Sequence, residues 1–332
     1  MLDHSLEQYL ENIQKEIQRI LKESLYKPID SQYLYKAAAY LTDNPKAKRA
    51  RPKLTAHFAD LVSLSYSDVI PIGVAAEFVH AASLLHDDVI DAADTRRGKP
   101  TVNALHTNTV AVLTGDLLYT LALDILKPLP KEITDSAIEV VKNMTLAAAI
   151  EYNARGKVEL SMETWQTIAT GKTGDLFAWC GSSAAILANR PEYKLNFHQC
   201  GMAFGTAFQI ADDLKDFFAK QEGKPRYADI RNKNPNLLLL LLAQEDESFK
   251  QELHEIYAKE NIAEKEIQHV AKKIKNSPVP NLAFDLLEKK IEEGLSALNV
   301  IENSNTKNLQ KWISSLYGGF TKRRLAQLTL KK

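Results

Sequence analysis

Apolar residues recur along most of the chain at the three- and four-residue spacings of amphipathic helices. In residues 6–25 the apolar side chains between Leu6 and Leu21 fall on one helical face, and polar side chains occupy the opposite face. Residues 31–41 show the same periodicity and are followed by Asp43-Asn44-Pro45, where proline ends a helix. The pattern predicts two amphipathic helices in this part of the chain.

The helical pattern continues through the middle of the chain. Residues 55–126 are helical in character throughout, and the alanine-rich stretches 74–86 and 110–126 allow close helix packing. No stretch shows the alternation of apolar and polar residues that is typical of a strand. The chain is therefore predicted to be an all-α bundle around a central apolar cavity. Further helices are predicted at residues 133–155, 164–188 and 196–218, with another beginning at 237–242.

Nothing in the sequence marks a domain boundary, because it contains no repeat and no low-complexity segment. We predict a single domain over residues 1–332, with the recognisable motifs in a core at about 46–242 and a variable helical part at 245–332.

The composition excludes several kinds of partner. Lysine plus arginine and aspartate plus glutamate number 42 each, so no net field favours nucleic acid or an anionic membrane. Cys180 and Cys200 lie in apolar helical contexts without metal-ligand spacing, as expected of buried thiols in a reducing cytoplasm. The N-terminus has no signal-peptide pattern, and the apolar run 237–243 is far shorter than a bilayer span of about 20 residues. A cytoplasmic protein without a transmembrane segment is predicted.

Candidate chemistry is concentrated at residues 87–91, Asp-Asp-Val-Ile-Asp, which follow the apolar helical run 78–85. Asp87 and Asp91 share one helical face about one turn apart, where like charges repel. Carboxylates without histidine or cysteine are typical of Mg²⁺ sites, in which substrate phosphates supply further ligands. The arginines at 96 and 97 have the fork geometry that binds a diphosphate. These residues predict a metal-assisted diphosphate site.

A second copy of this acidic spacing, Asp-Asp-Leu-Lys-Asp at residues 212–216, closes another apolar helical run. One such motif alone is as consistent with a solvated acidic helix end as with a metal site. Two copies favour the metal site, since two helix ends facing one cavity would hold a small metal cluster with a diphosphate as shared ligand.

Two further segments offer positive charge. The basic run 46–53 stands where a loop enters a helix, and a helix N-terminus binds phosphate readily through its free N–H groups. Residues 171–174, Gly-Lys-Thr-Gly, lack the spacing of a phosphate-cradling P-loop. Glycines inside a helix cost about 1 kcal/mol each relative to alanine, so a local bend that turns Lys172 toward a cavity is predicted.

With these residues in hand, the sequence resembles the trans-prenyl diphosphate synthase (polyprenyl synthetase) family over residues 46–242, and within it the long-chain type that makes products such as octaprenyl diphosphate. Their order and separations all fit that family. The residues that carry the resemblance are Lys48-Arg49-Ala50-Arg51-Pro52, His80, the first acidic motif with Arg96-Arg97-Gly98, Lys172-Thr173-Gly174, Phe208-Gln209, the second acidic motif and Gly223-Lys224-Pro225.

The resemblance implies a role for each matching residue. Two to three Mg²⁺ ions would be held by Asp87, Asp91, Asp212 and Asp216. Catalysis would depend on the aspartates of both motifs, Asp88 and Asp213 included, and on Lys172. The allylic diphosphate would be bound by Arg96, Lys172, Thr173, Gln209, Lys224 and Lys233. Isopentenyl diphosphate would be bound by Lys48, Arg51, His80 and Arg97.

The resemblance also implies the reaction and sets an expectation for its product. An allylic diphosphate ionises, isopentenyl diphosphate attacks the cation, and a chain five carbons longer is released. Bulky residues one turn before the first motif stop chain growth in this family, whereas Ala82 and Ser83 stand there and Phe78 is a candidate floor one turn deeper. We expect a hexaprenyl to decaprenyl product for a quinone side chain, which associates with membranes, and a homodimeric enzyme.

Several positions depart from the family pattern. The usual Gly-Gly pair before the basic motif is Lys46-Ala47, and Lys215 inside the second motif would either pair with Asp212 or point outward. The family often has a Glu and a Gln on the helix before Lys172. Glu151 matches the Glu, and Ala154 stands in place of the Gln. The usual Gly-Lys-x-Thr-Leu-Pro appears as Asn-Lys-Asn-Pro-Asn-Leu at residues 232–237, where only the lysine is kept.

Four alternatives remain open at this stage. A class I terpene cyclase would not need the isopentenyl diphosphate residues, and a plain helical scaffold would not need the arginines and Gln209 at matching positions. A short-chain farnesyl or geranylgeranyl synthase would share the same motifs. A non-catalytic subunit of a heteromeric synthase would be expected to lose aspartates, whereas both motifs are complete.

Overall fold

The computed structural model describes residues 4–24, 31–43, 47–96, 98–218, 226–301 and 306–317. Over these ranges the chain is almost entirely helical, which confirms the predicted all-α fold. One short antiparallel hairpin pairs β1 (Thr95–Arg96) with β2 (Lys99–Pro100), with Thr95 opposite Pro100. The sequence did not predict this hairpin, because two-residue strands are too short to show alternation.

The helices follow one another along the chain with short connections. They are α1 (His4–Ser24), α2 (Gln32–Thr42), α3 (Ala50–Leu61), α4 (Ile70–Ile90), α5 (Val102–Leu105), α6 (Asn108–Leu126), α7 (Lys131–Ala154), α8 (Met162–Ala169), α9 (Asp175–Leu187), α10 (Pro191–Phe218), α11 (Ala228–Arg231), α12 (Leu237–Glu245), α13 (Glu247–Tyr257), α14 (Glu264–Asn276), α15 (Val279–Ser296) and α16 (Thr306–Tyr317).

The chain divides into two compact units, to which α7 and α10 both contribute. Each acidic motif belongs to a different unit, and the expectation of a single domain stays a prediction. The first unit comprises Met1–Val141, Leu176–His198 and Ile301–Thr306, and the second comprises Lys142–Asp175, Gln199–Val300 and Lys307–Lys332.

The first unit is built around α4, which α1, α2, α3 and α6 all contact. This helix is apolar on nearly every side over most of its length, as expected of a helix buried by several neighbours. Gly115 lets α6 approach the end of α4 closely, since a Cβ there would lie 2.3 Å from Nε2 of His86. The close approach fixes the segment that carries the first acidic motif.

The remaining face of α6 is apolar but only partly covered. By length and composition this helix could cross a membrane, although core helices of soluble proteins meet the same criterion. One third of its most apolar 18-residue segment is buried. The prediction of no transmembrane segment did not take this helix into account. Ala111, Gly115 and Leu118 are buried, whereas Val112 and Leu113 remain 39% and 42% exposed.

The second unit contains the predicted irregularity at residues 171–174. The predicted helix 164–188 is divided into α8 and α9 by a π-helical turn at Thr170–Gly174. Helix α10 packs directly on this turn, because a Cβ at Gly205 would lie 2.6 Å from Cα of Gly174. This contact brings the side chains that follow Gly205 on α10 within reach of the turn.

Candidate active site

The first acidic motif stands at the C-terminal end of α4. Asp91 follows the last helical residue, and its N–H donates to the carbonyl of Asp87 at 2.8 Å, so the two carboxylates are one helical turn apart as predicted. Both are partly exposed, whereas Asp88 is 2% exposed. The motif therefore offers two solvent-accessible carboxylates and one buried one.

The buried carboxylate of Asp88 binds Arg96 on the hairpin. Arg96 Nε donates to both oxygens at 2.8 and 3.1 Å, and Nη2 lies 2.7 Å from Oδ1. This paired geometry orients the guanidinium group, which was predicted to bind the allylic diphosphate. Asp88 thus acts on the site by holding Arg96, a role that the sequence could not reveal.

The basic run lies at the start of α3, in the same unit as the first motif. Lys48 is exposed, while Arg51 is 7% exposed and lies 5.0 Å from the ring centre of Phe177. Burial lowers the pKa of Arg51, and the nearby carboxylate of Glu77 partly offsets that effect. His80 is half-buried on α4, and Arg97 lies outside the described residues.

The π-helical turn presents two of the predicted side chains. Lys172 Nζ forms an ion pair with Glu151, and the two side chains are 26% and 17% exposed. The hydroxyl of Thr173 donates to Oε1 of Gln209 at 3.2 Å. The close packing of α10 against the turn therefore joins Thr173 to Gln209, which lie 36 positions apart in the sequence.

The second acidic motif divides its aspartates between surface and interior. The side chain of Asp212 is 58% exposed, and Lys215 Nζ lies 3.4 Å from its Oδ1. Lys215 also lies 5.0 Å from the ring centre of Phe208 and is 19% exposed. Of the two orientations considered for Lys215, the structure shows the one that pairs with Asp212.

Asp213 is the centre of a buried hydrogen-bond network. It accepts from Trp165 Nε1 at 3.0 Å, Gln209 Nε2 at 3.0 Å and the N–H of Leu237 at 2.8 Å. Burial raises the pKa of Asp213 to about 7, although these three donors act in the opposite direction. Asp213 therefore ties α8, α10 and α12 together, and its residual charge is costly in the interior.

Asp216 serves as an N-terminal anchor for α11. Its Oδ1 accepts from the N–H of Ala228 at 2.8 Å and its Oδ2 from the N–H of Asp229 at 3.3 Å, and the residue is 8% exposed. Both oxygens are thus engaged by backbone donors at a helix start. This arrangement does not favour the predicted role of Asp216 as a metal ligand.

Lys233 lies just before α12 in the second unit, and its side chain contacts the end of α13. Its Nζ donates to the carbonyls of Tyr257 at 2.9 Å and Lys259 at 2.5 Å, at the end of α13, where a cation is stabilised by the helix dipole. Lys233 has φ 55°, in the left-handed region that favours glycine. Asn236 caps α12 by accepting from Leu238 N. The ammonium group of Lys233 is thus engaged by backbone carbonyls at the end of α13, and its role at the allylic diphosphate stays a prediction.

Lys224, the other basic residue predicted nearby, lies outside the described residues.

The residues predicted to set chain length lie in the interior of the first unit. Phe78 and Ala82 are fully buried, and Ser83 Oγ donates to the carbonyl of His80 at 2.9 Å. A narrow apolar pocket lies deeper along α4, and none of these three residues lines it. Its lining includes Ala75 and Val79 of α4, Ala122 of α6, Ala137 of α7 and Trp179 of α9.

The donor set fits Mg²⁺ rather than a transition metal. Asp87 and Asp91 of the first unit are partly exposed and Asp212 of the second unit is exposed, and carboxylate oxygens are the hard ligands that Mg²⁺ prefers. Among the described residues, no three acidic, histidine or cysteine side chains converge to hold a metal by themselves. Mg²⁺ commonly takes one or two carboxylates and completes its shell with substrate phosphate and water, so this arrangement is compatible with such a site.

Comparison with known proteins identifies a family from the sequence. Residues 31–274 match the model of the polyprenyl synthetase family. Octaprenyl diphosphate synthase of Escherichia coli is 34% identical over 200 residues, which cover 58% of this chain and 61% of that enzyme, less than two thirds of its length. Geranylgeranyl diphosphate synthase of Sulfolobus acidocaldarius is 27% identical over 90% of this chain and 92% of that enzyme.

The fold also matches a solved structure closely. The decaprenyl diphosphate synthase of Rhodobacter capsulatus superposes with a TM-score of 0.86, covering 96% of this chain and 99% of the other, at 22% identity. At that identity the likeness concerns the fold alone. Because the family model spans most of the chain and includes both acidic motifs, the protein belongs to the polyprenyl synthetase family.

Proposed function

We propose that the protein is a Mg²⁺-dependent prenyltransferase of the cytoplasm that condenses isopentenyl diphosphate with an allylic diphosphate to give a trans-polyprenyl diphosphate. The observation that carries this proposal is the difference in exposure among the aspartates of each acidic motif. Asp87 and Asp91 are partly exposed and Asp212 is exposed, whereas Asp88 and Asp213 are buried and hold other residues of the site. An acidic helix end that is merely solvated would not need the buried partners.

The residues of the second unit are suited to hold the allylic diphosphate. Lys172 supplies a cation, and Thr173 and Gln209 supply hydrogen-bonding groups beside it. Bound Mg²⁺, two to three ions held chiefly by Asp87, Asp91 and Asp212, would offset the charge that develops on the departing diphosphate. Arg96, oriented by Asp88, would add a bidentate donor to the same group.

The basic run is suited to hold isopentenyl diphosphate. Lys48 and Arg51 stand at the N-terminus of α3, where the helix dipole also favours an anion, and His80 and Arg97 would complete the subsite. The double bond of the bound substrate then attacks the allylic cation. A proton lost from the new chain passes to the released diphosphate, which leaves a product five carbons longer.

We further propose a product longer than geranylgeranyl diphosphate, in the hexaprenyl to decaprenyl range, for a quinone side chain and association with membranes. The relatives include both long-chain and geranylgeranyl synthases, so they do not decide the length. The support comes from Ala82 and Ser83, which do not block the helix level next to Asp87. Val79 and Ala75, at the apolar pocket, lie about 12 and 18 Å along α4 from Asp87.

The product of a turnover assay tests both parts of the proposal. With Mg²⁺, isopentenyl diphosphate and farnesyl diphosphate, mass spectrometry is expected to show a ladder that ends at about six to ten isoprene units. Val79→Phe should shorten the product by narrowing the pocket, whereas Val300→Phe, at a residue 59% exposed and far from the pocket lining in sequence, should not. A ladder that ends at geranylgeranyl diphosphate would refute the long-chain assignment, and no condensation would refute the enzyme itself.

We also propose that the chain forms a homodimer. In the first unit, Val112 and Leu113 on α6 and Ile138 on α7 are 39%, 42% and 47% exposed, which is unusual for apolar residues on two long helices. Light scattering is expected to give twice the 37.2 kDa chain mass, and Leu113→Glu to give the monomer. Leu282→Glu, at a residue 37% exposed on α15, is the matched control and should stay dimeric. A wild-type monomer would contradict the proposal.

A further inference from the structure

Arg49 occupies an unusual position between the two basic residues Lys48 and Arg51. It precedes the first residue of α3 with φ 48° and ψ 43°, a left-handed conformation that a residue with a Cβ rarely adopts. The N–H of Lys53 nevertheless donates to its carbonyl at 3.0 Å, so the helix begins in a regular way. Something outside the backbone must therefore hold Arg49 in this conformation.

The side chain of Arg49 is held by three different elements. Nη1 pairs with a carboxylate oxygen of Glu77 on α4, and Nη2 donates to Oε1 of Gln14 on α1. The same nitrogen donates to the carbonyl of Thr42, at the end of α2, at 2.8 Å. The side chains of Arg49 and Glu77 are 9% and 8% exposed, so water competes little with their ion pair.

The carboxylate of Glu77 also attracts the guanidinium group of Arg51. Arg51 is buried against Phe177, and attraction to Glu77 opposes the effect of burial on its guanidinium group. One carboxylate on α4 therefore bears on both arginines at the start of α3, while Lys48 is exposed just before them. The reaction proposed above does not use Glu77 or Gln14 directly.

We propose that Glu77 is a positioning residue for isopentenyl diphosphate, which fixes Arg49 and thereby sets the placement of Lys48 and Arg51 on either side of it. The inference rests on the proposed function, because it takes Lys48 and Arg51 as the diphosphate ligands. Arg49 itself has a left-handed backbone, and its three acceptors hold it there without a glycine. A side-chain clamp replaces part of the conformational freedom that glycine would give.

Binding of isopentenyl diphosphate alone, measured by titration calorimetry, is the decisive experiment. Glu77→Gln keeps the size of the side chain and removes the charge, and it is expected to raise the Kd about tenfold or more. In turnover assays KM for isopentenyl diphosphate should rise in proportion, while KM for farnesyl diphosphate stays within about twofold. A merely structural role would raise both KM values or lower kcat without this difference.

Three further variants make the test independent of one substitution. Glu77→Asp keeps the charge and should restore most of the affinity. Gln14→Ala removes one of the three acceptors of Arg49 and should raise the Kd about two- to threefold, which also decides the matter if Glu77→Gln does not fold. Arg19→Ala breaks an exposed ion pair on the same α1 helix and should leave the Kd unchanged.

The possible outcomes separate this proposal from the proposed function. A wild-type protein that binds isopentenyl diphosphate without condensing it would refute the enzyme activity and leave the clamp testable by binding. A folded Glu77→Gln protein with wild-type Kd, or a wild-type protein that does not bind isopentenyl diphosphate, would overturn the role of Glu77.

Discussion

Replacement of Asp87 by asparagine is expected to lower kcat at least about a thousandfold while the protein stays folded. The carboxylate stands partly exposed at the end of α4, one turn from Asp91, and we propose that it binds the metal that offsets charge on the departing diphosphate. A thousandfold loss corresponds to about 4 kcal/mol, the magnitude expected when the transition state loses its stabilisation by one bound metal ion. Steady-state kinetics at saturating Mg²⁺ and both substrates measure it.

The same substitution should not destabilise the fold. Relief of the repulsion between Asp87 and Asp91 is worth a few tenths of a kcal/mol in favour of the variant. The free energy of unfolding in urea should therefore match or slightly exceed that of the wild type. Asp94→Asn is the control, since Asp94 is exposed in the loop after α4 and lies outside the motif. A kcat within tenfold of wild type for Asp87→Asn would show that this carboxylate is not an essential metal ligand.

Much of this molecule follows from local pattern. The spacing of apolar residues predicted the main helices of the core, and the two acidic motifs appear at the ends of α4 and α10 as expected. The glycines at 171 and 174 predicted an irregular helix, which the structure shows as a π-helical turn. Each of these features depends on residues within a few positions of one another, so the sequence contains the necessary information.

The parts that escaped prediction depend on partners distant in the chain. Asp213 and Asp216 are aspartates of the same motif as Asp212. In the fold, Trp165 and Leu237 donate hydrogen bonds to Asp213, and Ala228 donates one to Asp216. No periodicity indicates which aspartate of a motif will be buried. The partners of Lys233 escaped prediction for a related reason, since they are carbonyl groups of Tyr257 and Lys259, more than 20 positions away in the sequence.

Asp88→Asn is expected to lower the free energy of unfolding by about 2–4 kcal/mol. In this it differs from Asp87→Asn, one residue away, which should leave the fold stable. Asp88 and Arg96 have side chains 3% and 18% exposed, so the substitution leaves a largely buried guanidinium group without its counter-charge. Urea unfolding at pH 7 measures the loss, and Asp87→Asn is the matched neighbour expected to show none. A loss of less than about 1 kcal/mol would mean that this ion pair behaves like one at the surface.

The double variant Asp88→Asn with Arg96→Gln separates folding from function. Removal of both charges eliminates the uncompensated cation, so most of the stability lost in Asp88→Asn should return. Activity should not return, because Arg96 is also proposed to bind the allylic diphosphate, and KM for farnesyl diphosphate should remain raised by about tenfold or more. If KM recovered together with stability, Arg96 would act only as the structural partner of Asp88, and the allylic diphosphate would depend on the residues of the π-helical turn.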